Sequence, residues 1–379
     1  MDGVRALATL LIIIYHLLGV SGQTVNNSNG IGQFSGRLNV AVSIFFVLSG
    51  YLLFKPYVEA MLQKASFPRA HTFYFKRIVR IMPAYWCALV LISKFNSVNF
   101  PVLSELLRNV LLLPPMAGQN IFPIIGQTWT LSIELSFYLS LPWIAALIRH
   151  RVKNMAPEKA LRNILCCLLA LYVSAFVFRV LFHKTHIEFF FFFTLWFPAH
   201  IDTFALGMCI AAVIAALEVS PDLKARRAQL VRMAPIFLLL SGATWYWSTQ
   251  LGLALAFETT PFRIELFGHF LYGITSVAFV LPFCLDEGTS RIVKIFGSKA
   301  FVWLGTISYG MYLWHFLFLG GDFANTYLPY RIGDMGIATR LLITIPGSIA
   351  VATVSYYLIE RPLIRSLSRV LQKQKIRVN

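Results

Sequence analysis

The chain has 379 residues, of which 58% are hydrophobic and only 13% charged, with a formal net charge of +17 and a mean hydropathy of +0.69. Soluble domains carry about 25% charged residues, so the composition excludes a water-soluble protein and predicts an all-α polytopic membrane protein. The positive charge falls in alternate loops, where it sets topology, and no nucleic-acid partner is expected.

A span needs about 20 apolar residues. Ten segments are predicted at 4–20, 38–54, 81–94, 129–148, 163–182, 199–217, 233–252, 264–285, 301–320 and 337–359, the third being short. The first has no small-residue cleavage site and is read as a retained helix. It carries Arg5 near its start and His16 near its far end. Ionisable groups at membrane depth are costly, so His16 is a functional-site candidate; the alternative is a neutral ring bonded to a neighbouring helix.

Loop charges orient the spans. Segment 55–80 holds Lys55, Lys64, Arg69, Lys76, Arg77 and Arg80 against Glu59, and 149–162 has a net charge of +4. Segment 218–232 is also basic, whereas 21–37 carries only Arg37 and 253–263 only Glu258 and Arg263. Basic loops stay cytoplasmic, so both termini are expected inside. A membrane domain over 1–365 and a basic cytoplasmic tail over 366–379 follow.

Further features lie between the spans. Residues 102–113 place Leu103, Leu106, Leu107, Val110 and Leu111 on one face and end at Pro114-Pro115, the pattern of an interfacial helix. Phe189 to Phe193 with Trp196-Phe197-Pro198 reads as an aromatic anchor at the outer surface. Asn26-Asn27-Ser28 is a weak glycosylation sequon. The five cysteines show no metal-ligand spacing, so no metal and no disulfide framework are expected.

Depth relates the polar residues. Arg5 and His16 are separated by eleven positions, about 16 Å along a helix, which puts Arg5 near the cytoplasm and His16 in the outer half. Glu134 lies five residues into the fourth span, about 7.5 Å below its outer end. A carboxylate there needs a partner or a proton. Its depth resembles that of His16, as a carboxylate–imidazole pair requires; separately satisfied groups are the alternative. Arg77 and Arg80 are three apart and share a helical face. Paired guanidiniums suit phosphate, although headgroup anchoring would use the same residues. Trp129, Asp202, Tyr309 and His315 are further substrate-contact candidates, with helix capping or core packing as the alternative for Asp202 and His315.

Several stretches together carry a resemblance. They are Asp2-Gly3-Val4-Arg5-Ala6 with the Arg-x10-His spacing, Ser43-Ile44-Phe45-Phe46-Val47-Leu48-Ser49-Gly50 and Arg77-Ile78-Val79-Arg80-Ile81-Met82-Pro83-Ala84-Tyr85-Trp86. Thr128-Trp129-Thr130-Leu131-Ser132-Ile133-Glu134 and Asp202-Thr203-Phe204-Ala205-Leu206-Gly207 follow, then Ile307-Ser308-Tyr309-Gly310-Met311-Tyr312-Leu313-Trp314-His315 and Ile359-Glu360-Arg361-Pro362. In this order they resemble the integral-membrane acyltransferase family 3, whose members include O-antigen, peptidoglycan and macrolide O-acyltransferases. The resemblance implies ten spans in a bacterial cytoplasmic membrane, an acyl-CoA donor, most often acetyl-CoA, and transfer to a hydroxyl of a glycan or lipid-linked saccharide at the outer face. It gives His16 the essential histidine role, Glu134 an essential acidic role, and Arg77 and Arg80 the coenzyme A contacts; on chemistry, His16 is expected to act as the base and Arg5 to add a further phosphate contact. No permanently bound cofactor is implied. Some relatives carry a C-terminal esterase domain; here acyl handling is expected in the membrane core or with a separate partner. A proton-coupled transporter or flippase is the competing class, since intramembrane His, Glu and Arg suit carriers too, but no inverted repeat is evident.

Overall fold

The computed structural model describes residues 1–21, 30–95, 103–114, 124–185, 193–219, 221–251, 261–286, 288–319 and 336–378. Among them every regular element is helical: α1 (Asp2–Val20), α2 (Gly30–Ser35), α3 (Val40–Leu62), α4 (Ala70–Phe95) and α5 (Leu103–Val110) come first. There follow α6 (Trp129–Val152), α7 (Pro157–Thr185), α8 (Ile201–Val219), α9 (Pro221–Arg232) and α10 (Ala234–Thr249). The chain continues with α11 (Phe262–Leu285), α12 (Arg291–Phe296), α13 (Lys299–Trp314), α14 (Ile337–Ser355), a π turn (Tyr356–Glu360) and α15 (Arg361–Val378). The sequon and Phe189 to Phe192 lie outside the described residues.

Among the described residues, seven helical segments are long and apolar enough to cross a membrane, and eight if α9 and α10, bent by 49° at their junction, form one span. Segment 81–94 lies within α4, whose Lys76, Arg77, Arg80 and Lys94 dilute its apolar character. The predicted span at 301–320 is α-helical only to Trp314, making α13 16 residues long, and continues as the 3₁₀ turn His315–Phe318. Large apolar side chains such as Trp143, Leu239, Leu342 and Leu358 are more than 70% exposed, as lipid-facing residues are and as a soluble monomer rarely tolerates.

The described residues form two compact units, one of Met1–Phe67 and Ser140–Gly305, the other of Pro68–Leu139 and Thr306–Asn379. In the first, α3 and α8 pack backbone to backbone. A Cβ on Gly50 would fall on the Phe204 carbonyl oxygen, and one on Gly207 on the Val47 carbonyl oxygen. Membrane helices associate through such close approaches, having no hydrophobic drive to bury Leu against Leu when lipid is equally apolar. Gly3 and Gly305 do the same against the backbones of Phe296 and Asp2. Hydroxyls join α10 to α11: Ser241 Oγ donates to the Thr275 carbonyl at 2.9 Å, and Thr244 Oγ1 lies 2.8 Å from Thr275 Oγ1.

In the second unit α5 is shorter than the predicted 102–113. The Tyr85 hydroxyl bonds the Asn109 carbonyl at 2.5 Å and the Trp86 indole N–H bonds that of Val110 at 2.9 Å. These bonds occupy carbonyls at the helix end, and Leu112 then takes a positive φ of 53°. No α5 residue is buried, as suits an interfacial helix. The second unit is held further by Gln127, whose amide donates to the carbonyls of Tyr312 and Leu313 at 3.3 and 3.2 Å. The Tyr312 hydroxyl in turn donates to the Gln127 carbonyl at 2.6 Å.

Candidate active site

The predicted residues divide between the units. In the first, Arg5 and His16 lie on α1 and are both half-buried. Arg5 Nη1 reaches Asp2 Oδ1 at 3.4 Å across a single turn. With Asp2 46% and Arg5 20% exposed, that pair adds little stability, so the guanidinium can exchange it for another anion. The His16 ring packs against Tyr15 with centroids 5.2 Å apart.

Asp202, at the start of α8, is 3% exposed. Its Oδ1 accepts from Thr203 N at 2.7 Å and Thr203 Oγ1 at 3.1 Å. Its Oδ2 takes Arg179 Nη1 at 3.0 Å and faces His269 Nε2 at 2.9 Å. Arg179 also donates to the Ala199 carbonyl, and its Nη2 lies 2.6 Å from His269 Nε2. One ring nitrogen therefore stands against a cation and an anion. His200, whose ring centroid is 5.8 Å from that of His269, bonds the Thr194 carbonyl at 2.8 Å. The Arg179–Asp202–His269 cluster ties α7, α8 and α11 together. Its partners are charged and desolvated, so removing one strands the other. Arg179→Ala is expected to cost about 3–5 kcal/mol, read as a lowered thermal midpoint of the detergent-solubilised protein; an unchanged midpoint would show that Asp202 does not depend on this arginine.

The second unit holds Arg77, Arg80, Trp129, Glu134, Tyr309 and His315. Arg77 and Arg80 lie one turn apart on α4, both half-buried. The Arg77 guanidinium carbon sits 5.6 Å from the Phe73 ring centroid and 5.7 Å from that of Tyr138, a cation–π cradle that fixes its direction. Glu134 and Tyr138 share a face of α6, and the Tyr138 hydroxyl donates to Glu134 Oε1. Tyr309, from α13, donates its hydroxyl to the Ile81 carbonyl at 2.8 Å, beside Arg80. Glu134, Tyr138, Tyr85 and Glu360 act electrostatically on that phenol. Arg77 and Glu134 also lie in each other's electrostatic reach. One unit thus brings together the two predicted phosphate ligands, the predicted carboxylate and Tyr309.

The remaining two candidates stand at its margins. Trp129 opens α6 and is half-buried. His315 is fully buried, with Nδ1 2.7 Å from the carbonyl of Tyr312 and its ring edge-on to Phe316.

Arg179, His269 and Tyr138 were not singled out from the sequence, and Glu360 was quoted without a role. Arg179 and His269 are ionisable residues within apolar runs, the very signal that marked His16. Tyr138 stands at i+4 from Glu134, a spacing visible in any helix. Among the described residues no group of three or more His, Cys, Asp or Glu side chains is arranged to hold a metal ion.

Fold and site define an all-helical integral-membrane protein with arginines, a carboxylate and tyrosines gathered between apolar helices. The chain belongs to acyltransferase family 3: a family model described as "Acyltransferase domain" matches residues 1–360. It is similar to the peptidoglycan O-acetyltransferase OatA of Listeria monocytogenes, with 24% identity covering 96% of this chain and 55% of that protein. It is also similar to the O-acetyltransferase OatA of Staphylococcus aureus, again at 24% identity, covering 96% of this chain and 56% of that protein. The chain therefore spans about half the length of the curated relatives it matches. No solved structure matches it significantly.

Proposed function

We propose that the protein is a membrane O-acetyltransferase. It takes acetyl from cytoplasmic acetyl-CoA and delivers it to a hydroxyl of a cell-envelope glycan, peptidoglycan in the first instance, at the outer face of the bacterial cytoplasmic membrane. The observation that carries this reading is the grouping of Arg77, Arg80, Glu134 and Tyr309 in one unit of an acyltransferase-family chain. The acceptor follows the Listeria monocytogenes relative, which is named a peptidoglycan O-acetyltransferase. Ten spans with both termini cytoplasmic complete the reading, α4 and α13 joining the segments that pass on length and composition alone. The alternation of basic loops supports that topology. Residues 1–365 then form the catalytic domain and 366–379 a basic cytoplasmic tail.

Each side chain then has a task. Arg77 and Arg80 hold the donor's phosphates, because a planar guanidinium binds two oxygens at once. Arg5 adds a third cation at the cytoplasmic end of α1. His16 takes the proton of the acceptor hydroxyl while its oxygen attacks the thioester carbonyl carbon. The C–S bond breaks and coenzyme A leaves as a thiolate, a good leaving group since a thiol titrates near 8.5; the proton on His16 returns to that sulfur. Atoms balance without an acyl-enzyme. Glu134 supplies the carboxylate that stabilises the cationic intermediate state. Trp129 and Tyr309 contact substrate, while Asp202 and His315 shape the acceptor side from buried positions.

The double variant Arg77→Ala, Arg80→Ala is expected to weaken coenzyme A binding to the solubilised protein by about 100-fold or more, since each charge-assisted contact contributes about 1.5–3 kcal/mol. Wild-type affinity would also fall steeply with salt. Binding that survives the double substitution unchanged would remove both arginines from the donor site.

A further inference from the structure

Glu360 ends the π turn that joins α14 to α15, and it is 3% exposed. Its Oε1 is buried and has no hydrogen-bond partner among the described residues; the same holds for Nε of Arg77. Ser355 interacts with the same carboxyl group, so Oε1 is the oxygen that still has no donor in hydrogen-bond geometry, and a buried oxygen left so is costly. Single π turns inside helices recur at functional sites because they re-aim one side chain at the expense of regular pairing. Here the turn spaces Ser355 and Glu360 five residues apart and packs beside α4. Arg80 is the cation that acts on Glu360, and the Tyr309 phenol lies within reach of its charge.

Two kinds of orphan atom stand in this unit. Arg77 Nε can only donate, and Glu360 Oε1, as carboxylate, only accepts. A bare anion would satisfy the first and be repelled by the second. A matching ligand carries negative oxygens next to neutral N–H or O–H groups. Resting on the donor reading above, we propose that Glu360 is a binding residue for the amide- and hydroxyl-bearing pantetheine arm of the acyl-CoA donor, beside the arginines that take its phosphates. The arm's N–H and O–H groups donate to the carboxylate, and this selects acyl-CoA over acyl donors that carry phosphate alone.

The test measures coenzyme A and adenosine 3′,5′-bisphosphate binding to the full-length solubilised protein, its Glu360→Gln variant, which keeps an acceptor oxygen, and its Glu360→Met variant, which keeps volume without oxygen. Glu360→Met is expected to weaken coenzyme A by about 10-fold or more and to leave the bisphosphate unchanged, while Glu360→Gln stays within about 3-fold of wild type for both. Equal losses in the two variants, or tighter binding of both ligands, would show a counter-charge to Arg80 instead and overturn the proposal. So would no change in either. If Glu360→Met does not fold, the wild-type comparison decides: the proposal requires coenzyme A to bind at least about 10-fold more tightly than the bisphosphate, and equal affinities overturn it. A wild type that binds neither ligand would instead defeat the donor reading itself.

Discussion

Replacing His16 with Ala is expected to lower acetyl transfer by about 10²–10⁴-fold, the usual contribution of a positioned general base, while leaving coenzyme A binding within about 2-fold of wild type. The expectation rests on position and chemistry. His16 lies near the C-terminal end of α1 and is only half-buried, so a reactant can approach the ring without the helix moving. An imidazole carries two ring nitrogens, so it can take a proton from one reactant and return it to another within a single catalytic cycle. Arg5, at the other end of α1, stays in place in the variant, as do Arg77 and Arg80, so binding is the control that separates chemistry from damage. A variant that keeps full activity would remove His16 from the mechanism. One that loses binding and activity together would make it a structural residue.

The second large effect is on folding. Gly207→Val is expected to abolish accumulation of monodisperse protein, because a Cβ at this site would coincide with the Val47 carbonyl oxygen and crowd the Tyr51 amide at 2.8 Å. Neither neighbour is the flexible end of a side chain; both belong to α3 backbone, which cannot yield without moving the helix. Overpacking in a close-packed core costs about 1–3 kcal/mol even where side chains can shift, and here the clash is with main chain. Gly242→Ala is the control: a Cβ at that position meets nothing within 4 Å, and alanine favours a helix over glycine by about 1 kcal/mol. Size-exclusion profiles of the two variants decide it. A Gly207→Val protein that elutes like wild type would mean that α3 and α8 do not pack through this glycine.

These glycines show what the sequence made legible. Gly50 closes the Phe46-Val47-Leu48-Ser49-Gly50 stretch and Gly207 closes Asp202 to Gly207. Motif matching marks both, but only the structure shows each glycine lying against the other helix, Gly50 on Phe204 and Gly207 on Val47. Helical class and most spans were readable because hydropathy integrates over about 20 residues and averages out local irregularity. Boundaries were less so. No hydropathy pattern announces that α13 gives way to a 3₁₀ turn at His315, or that α14 reaches α15 through a π turn, since both depend on packing. The pairing of charges was least legible. Depth in the membrane ranks residues along one axis only, so Arg179, Asp202 and His269, 90 positions apart at their extremes, cannot be joined without knowing which helices are neighbours. The Glu134–Tyr138 bond, local to one helix, needed only the i+4 rule.

The most direct test is release of free thiol from acetyl-CoA by the purified solubilised protein in the presence of peptidoglycan fragments. An acyl-CoA-dependent transferase predicts thiol appearing in step with ester-linked acetate on the glycan, and neither when the glycan is omitted. Tight coenzyme A binding with acetylated glycan absent, or transport of a solute with acetyl-CoA left intact, would contradict it.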